Sequence, residues 1–335
     1  MTLRHQAAVD LVEVWRGPLL ESAHRGHVVI CDGTGQVVEA WGDPDAVIFP
    51  RSSAKLIQAL PLIETGAANA FGLTEAQIAF ACASHRGAHL HVSSAQAWLD
   101  HLGYSEADLI CGPQTPNDSD ERDSLARAGD KPCRLHNNCS GKHSGFLTVT
   151  KHLKAGGDYV ALDHPLQVAC KAAVEETCQE ASPGYGIDGC SAPNFATSLT
   201  GLARAMGTFA SAGARGDARS RAMARLTQAI AAHPTLISGE GGADTALINA
   251  LEGQAIVKTG AEGVYVAVIP EKQLGVALKI VDGTTRASEC AIAAILVKLG
   301  VLNPDHPAAK LTMTPVIRNW DGLVTGQIRP APTLQ

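Results

Sequence analysis

The sequence predicts an α/β (α+β) protein in which one antiparallel sheet is made from both ends of the chain, with a large helical insertion between them. Three observations predict it: strand-length apolar runs gather near the two ends, Ala- and Leu-rich helical runs fill the middle, and no repeat or linker separates them. Near the start, Val28-Val29-Ile30-Cys31 and Gln36-Val37-Val38-Glu39-Ala40-Trp41 flank Asp32-Gly33-Thr34-Gly35, whose glycines suit the turn of a hairpin. Near the end, runs starting at Ala255, Gly263 and Gly275 are each strand-length, and Pro270-Glu271-Lys272-Gln273 joins the last two, giving a three-stranded meander. Ile292, Ile295, Leu296 and Leu299 then fall at i, i+3, i+4 and i+7, the stripe of a closing helix that covers one sheet face. Between the ends, 74–82, 91–102, 144–153, 164–181, 199–212 and 218–232 read as helices, and 111–120 and 182–193 as irregular. The expectation is a single domain over 1–335, with sheet-forming ends at about 9–48 and 254–302 and a helical region at about 52–253.

Bulk composition narrows the classes of partner. The 335 residues are 45% hydrophobic and carry 27 Lys and Arg against 33 Asp and Glu, a formal charge of −6 spread without a basic block. Nucleic acid is therefore not an expected partner. The opening MTLRHQAAVDLVEVWRG lacks a leader's apolar run of about ten residues, and no segment approaches the roughly 20 uncharged residues of a membrane span. A soluble, cytoplasmic protein with no membrane partner is expected. Its nine cysteines are an odd number in a long chain and read as free thiols.

Two serine–lysine signals carry the chemistry. In Arg51-Ser52-Ser53-Ala54-Lys55, a serine precedes a lysine by three places, so a helix starting at Ser53 brings Ser52 and Lys55 to one face. A hydroxyl attacks only once a base takes its proton, and a lysine kept neutral by burial or by a second cation can be that base. Against this stands a plain alternative: an SxxK quartet arises by chance about once in such a chain, and serine is an ordinary helix cap. Pro61 should also shorten the helix. The second signal is Lys258-Thr259-Gly260 at the end of an expected strand, and SxxK followed by KTG is the order found in penicillin-recognising serine enzymes. The third element of that set, S-D-N, is missing; Ser84 in Ala81-Cys82-Ala83-Ser84-His85-Arg86-Gly87 is the candidate for its place, with a solvent-facing helix end as the plain alternative. Two lysines at one pocket disfavour each other's charge. Backbone N–H groups at the start of the Ser52 helix would receive an oxyanion.

The densest polar stretch is His136-Asn137-Asn138-Cys139-Ser140-Gly141-Lys142-His143-Ser144-Gly145. It fails as a phosphate loop, which needs glycine at 136 and Ser or Thr at 143. Cys139 and Lys142 are three apart, and Cys190 lies in a tight loop, Asp188-Gly189-Cys190-Ser191. As zinc chemistry the spacing is weak, lacking CxxC or HExxH, and isolated cysteines are commonly just buried thiols.

Taken in order, RSSAK, CASHRG, GPQTPND, HNNCSGKHSGFL, GIDGCSAP, GADTAL and KTGAEGVY closely resemble the Rhizobium etli-type (class 3, thermolabile) L-asparaginases, from about Val9 to Leu302. The resemblance implies a serine β-lactamase or penicillin-binding-protein-like fold, a homodimer, and hydrolysis of L-asparagine to L-aspartate and ammonia. It puts two serine–lysine tandems on Ser52 with Lys55 and on Ser84 with Lys258, zinc ligands on Cys139, Lys142 and Cys190, and a pocket aspartate on Asp188. Beside the nucleophile, Arg51 is a candidate for the substrate carboxylate, a surface ion pair being its alternative. The expected chemistry is serine attack on the side-chain amide, a neutral lysine as base, and an acyl-enzyme opened by water, with Ser52 favoured as nucleophile and Ser84 as relay. L-Glutamine, one methylene longer, or the acyl substrate of another penicillin-recognising-type hydrolase are rival substrates. A metal- or amino-acid-binding module without catalysis is the rival from another class.

Overall fold

A computed structural model describes residues 7–334. Its internal contacts divide it into two compact units, one of residues 7–53, 197–211 and 246–334, the other of residues 54–196 and 212–245.

The first unit is built on one eight-stranded sheet: β1 (Val9–Arg16), β2 (Leu19–Asp32), β3 (Val37–Trp41), β4 (Ile256–Gly260), β5 (Val264–Ile269), β6 (Leu274–Ile280), β7 (Val316–Arg318) and β8 (Val324–Pro330). Its order is β7-β8-β1-β2-β6-β5-β4, with β3 also on β2, and every pairing is antiparallel. The two chain ends do pair. Val12 lies opposite Pro330 and Ile30 opposite Val276. Strand β2 is long enough to serve two sets of neighbours: its first half meets β1, and its second half lies between β3 and β6.

The hairpin, the meander and the closing helix stand where the sequence puts them. Every residue of β5 is buried, which requires cover on both faces. That cover comes from the closing helix Thr285–Lys298 and from Leu199–Ala210, which joins the sheet although it lies far from both chain ends in sequence. The second helix approaches strand backbone directly: a Cβ on Gly275 would lie 2.0 Å from the Gly207 nitrogen, so neither position has room for a side chain. Strands β7 and β8 fall beyond residue 302, outside the expected sheet-forming ends. Val-Thr-Gly-Gln-Ile-Arg-Pro is half polar, and Gly326 passes so close to the Trp15 carbonyl that a Cβ would be 2.0 Å from it. A mostly unburied strand shaped by close backbone approach leaves no alternating apolar signal.

The second unit is helical, with α1 (Lys55–Gln58), α2 (Glu75–Phe80), α3 (His89–Leu102), α4 (Ser119–Ala128), α5 (Ser140–His152), α6 (Pro165–Cys178) and α7 (Ala218–Ala232) among its elements. The helix expected from Ser53 begins instead with a 3₁₀ turn, Arg51–Ala54, and α1 ends after four residues. Pro61 opens the next short helix, Leu60–Glu64, in keeping with its missing donor. Two further readings are corrected. Helix α4 was not expected because none of its residues is buried; it rests on the Asp118 side-chain cap and acids in its first turn. The stretch read as irregular around Cys190 is a short hairpin, Tyr185–Ile187 with Pro193–Phe195, closed by Asp188 N–H to Ala192 O at 3.0 Å.

Candidate active site

Lys55 is 1% exposed, and its ammonium nitrogen is held within the helical unit. Nζ donates to the Ala83 carbonyl, approaches Ser84 Oγ at 3.1 Å and the Asn138 carbonyl at 3.4 Å. Carbonyl oxygens only accept. A neutral amine has two N–H bonds and one lone pair, so two carbonyls can take both hydrogens and leave the lone pair facing the Ser84 hydroxyl. Ser84 is placed by the chain's exit from α2 and by its own N–H, donated to Ile237 O at 2.9 Å. This contact differs from the tandems the resemblance implies, since Lys55 meets the serine 29 positions on.

Arg51, Ser52 and Lys258 belong to the sheet unit. Arg51 adopts φ +54°, a left-handed conformation unusual for a side-chain-bearing residue, just before Ser52. Lys258 is 1% exposed on β4 and donates to Thr259 O at 2.9 Å. The glycine of Lys258-Thr259-Gly260 has a local reason: a Cβ there would meet the Pro50 carbonyl at 2.7 Å and the Ser53 nitrogen at 3.2 Å. The end of β4 thus lies directly against the turn that carries Ser52. Backbone donors in this turn are less open than the sequence suggests, because Ser53 N–H is donated to Pro50 O at 3.2 Å. Lys279, in the neighbouring strand, is spent on the carbonyls of Glu262 and Ile280.

In the helical unit, Cys139, Lys142 and Cys190, the residues to which the resemblance gives zinc, lie together. Lys142 Nζ donates to Cys190 Sγ at 3.1 Å, and all three residues are buried. A hydrogen bond from Cys139, outweighing burial and aided by the Lys142 ammonium, holds the Cys190 thiol far below its ordinary range. The same contact, with burial, pushes the Cys139 thiol well up. Burial acts against the Lys142 charge, but the two sulfurs and Asp188 outweigh it and hold the ammonium above its usual range. Asp188, half-buried, accepts from Gly189 N–H at 2.7 Å and from Asn194 Nδ2 at 3.0 Å.

Sequence reasoning missed several supporting groups. Asn138 supplies a carbonyl to Lys55 and its side-chain oxygen to Cys139 Sγ at 3.1 Å. His143 Nδ1 pairs with Tyr159 OH at 2.8 Å, and burial pushes its ring down to about 4. His85 accepts from Gly87 N–H at Nδ1, so its other nitrogen donates to Ser140 Oγ at 2.9 Å. These residues lie inside the quoted polar stretches, but spacing does not tell which of several adjacent polar side chains turns inward.

His85 also carries a pH prediction. Burial, reinforced by His91 and Lys55, holds its ring well below the ordinary histidine range, and burial lowers His91 as well. The unfolded chain, with histidines near 6.5, then binds protons that the folded one refuses. Stability is full above about pH 6.5 and falls below it, by up to about 1.4 kcal/mol per pH unit for each histidine. Urea midpoints at pH 7.5 and 5.5 should show this fall, and His85→Gln should lessen it. An equal fall in both proteins would refute the assignment.

The family model for L-asparaginase II matches residues 12–330. The chain is thus of the amidohydrolase class. The chain is a member of the L-asparaginase II family. No curated protein matches the sequence. Among solved structures it is similar to Mglu in its native form, at 13% identity over 89% of this chain and 70% of that one, with a TM-score of 0.45. It is also similar to a putative beta-lactamase from Bacteroides dorei DSM 17855, at 10% identity over 76% of this chain and 84% of that one, with a TM-score of 0.42. Among the described residues, no helix is long and apolar enough to cross a membrane.

Proposed function

We propose that the protein hydrolyses L-asparagine to L-aspartate and ammonia through a lysine-activated serine and an acyl-enzyme. The observation that carries this reading is the buried Lys55 amine, 3.1 Å from Ser84 Oγ with two carbonyls to take its hydrogens. Lys55 receives the hydroxyl proton as serine attacks the side-chain amide carbon; the proton then goes to the departing ammonia, and water opens the ester. By the family resemblance, Ser52 and Lys258 are further members of the proposed serine–lysine machinery. Arg51 and Asp188 carry the two charges that the α-carboxylate and α-ammonium of an amino acid require.

Among the described residues, no group of three or more His, Cys, Asp or Glu side chains is placed to hold a metal. The proposed zinc site counts a lysine among its donors. Cys139, Lys142 and Cys190 fit such an ion: two sulfurs and an amine are buried together, and His143 Nε2 is buried beside them without a conventional hydrogen bond. Binding would release the thiol and ammonium protons. Zinc, when bound, supplies a fixed positive charge that orders the pocket. We further propose a cytoplasmic homodimer; the nine free cysteines accord with a reducing compartment.

Ammonia release from L-asparagine and L-glutamine, measured for the wild type, Ser52→Ala and Ser84→Ala, tests the function. Both variants should lose at least about 10²-fold in kcat, and asparagine should be the better substrate. Equal rates in all three proteins would remove the serine chemistry. Elemental analysis of protein purified without added zinc should find about one metal per chain in the wild type and none in Cys190→Ser. A metal-free, fully active wild type would remove the zinc site.

A further inference from the structure

Of the nine cysteines, eight are buried and Cys133 alone is half-buried. It stands just before the 3₁₀ turn Arg134–His136, with its sulfur 3.1 Å from His136 Nδ1. The backbone fixes the tautomer of that ring. Cys133 N–H donates to the same Nδ1 at 3.0 Å, so Nδ1 carries no hydrogen and the ring proton sits on Nε2. Nε2 faces Glu121 Oε1 at 3.3 Å. The thiol thus meets a nitrogen obliged to accept, and a carboxylate stands behind the ring to stabilise the imidazolium that proton transfer would make, an order of nucleophile, base and orienting acid. Burial pushes the thiol up from its ordinary range, with Glu106 adding to it, while backbone N–H groups of Leu135 and His136 act the other way.

We propose that Cys133, with His136 as its base and Glu121 behind it, is a site of reversible S-thiolation by a low-molecular-weight disulfide, and that the adduct lowers turnover. The sulfur attacks one sulfur of the disulfide as its proton passes to His136 Nδ1. A Cys133–sulfur bond forms, the reagent's sulfur–sulfur bond breaks, and the departing thiolate takes the proton from His136 and leaves as a thiol. The cysteine sulfur is oxidised and the departing sulfur reduced. The effect on turnover rests on the proposed function: His136 opens the run to Asn138, whose carbonyl receives a Lys55 hydrogen, and to Cys139, whose N–H is held by Asn137 Oδ1 at 2.9 Å. An adduct must pull the sulfur off Nδ1, two residues from that carbonyl.

The test incubates the folded full chain with glutathione disulfide and follows adducts by intact mass and peptide mapping, with ammonia release measured on the same samples. One adduct is expected, on Cys133, reversed by dithiothreitol. His136→Asn should slow its formation at least about tenfold. Glu121→Gln should slow it less, with Glu121→Asp restoring part of the rate. Cys133→Ser should keep the basal turnover and lose the response to the disulfide. No adduct, adducts spread over other cysteines, or a wild-type rate in a folded His136→Asn protein would overturn the site. A full adduct with unchanged turnover would overturn the regulation. Absent ammonia release from the unmodified protein would count against the proposed function, and the mass measurement would still decide the thiolation.

Discussion

Lys55→Arg and Lys55→Met are both expected to lower kcat for ammonia release by about 10²–10⁴-fold. The pair separates two roles that one substitution confounds. If Lys55 only ties Ala83 O, Ser84 Oγ and Asn138 O together, a guanidinium with its five N–H donors retains much of that function. If Lys55 is the base, arginine fails as completely as methionine, because a guanidinium does not give up its proton in a protein. Methionine carries an added cost, since it leaves the two carbonyls without a donor, about 1–3 kcal/mol for each group stranded in a buried place. Circular dichroism and a urea midpoint must therefore accompany the kinetics for that variant. Substantial activity in Lys55→Arg would end the role of Lys55 as base and, with it, the lone-pair geometry on which the proposed mechanism turns.

What the sequence made legible here follows from the kind of signal each feature leaves. The β3 hairpin and the β4–β6 meander were visible because their buried strands are unbroken apolar runs between turn residues, as Val264–Ile269 shows. Helix α4 and strand β8 left no such trace: one buries none of its residues, and the other is a mostly unburied strand shaped by Gly326. The lysines of both motifs, Lys55 and Lys258, are buried. The contact between Lys55 and Ser84 was not legible, because spacing reports neighbours three or four apart and this one spans 29 positions. Nor could spacing separate Cys133 from the other thiols. Its distinction is exposure and the tautomer of His136, and both are properties of the folded chain.

Gly141→Ala is expected to cost about 1–3 kcal/mol of stability and a large part of the activity, although the added atom is one methyl group. In sequence this glycine reads first as part of a failed phosphate loop; its reason is packing. A Cβ at 141 would lie 2.3 Å from the Phe80 carbonyl oxygen and 2.8 Å from the Phe80 ring, distances no side chain occupies. Helix α5, which carries Lys142, therefore lies against the last turn of α2, from which the chain runs on to Ala83 and Ser84. A methyl group must push these two elements apart, and a shift of about 1 Å at a reacting pair can cost roughly 10²-fold in rate. Gly145→Ala, one turn further along the same helix, is the control. Its Cβ would stand 3.3 Å from the Ala81 methyl, a contact that gives way by a few tenths of an ångström. Thermal midpoints and kcat for the two variants should differ sharply, with Gly141→Ala the worse in both. If they behave alike, close approach at Phe80 does not hold the Lys142 helix against the segment that bears Ser84, and the glycine in Cys-Ser-Gly-Lys needs another explanation.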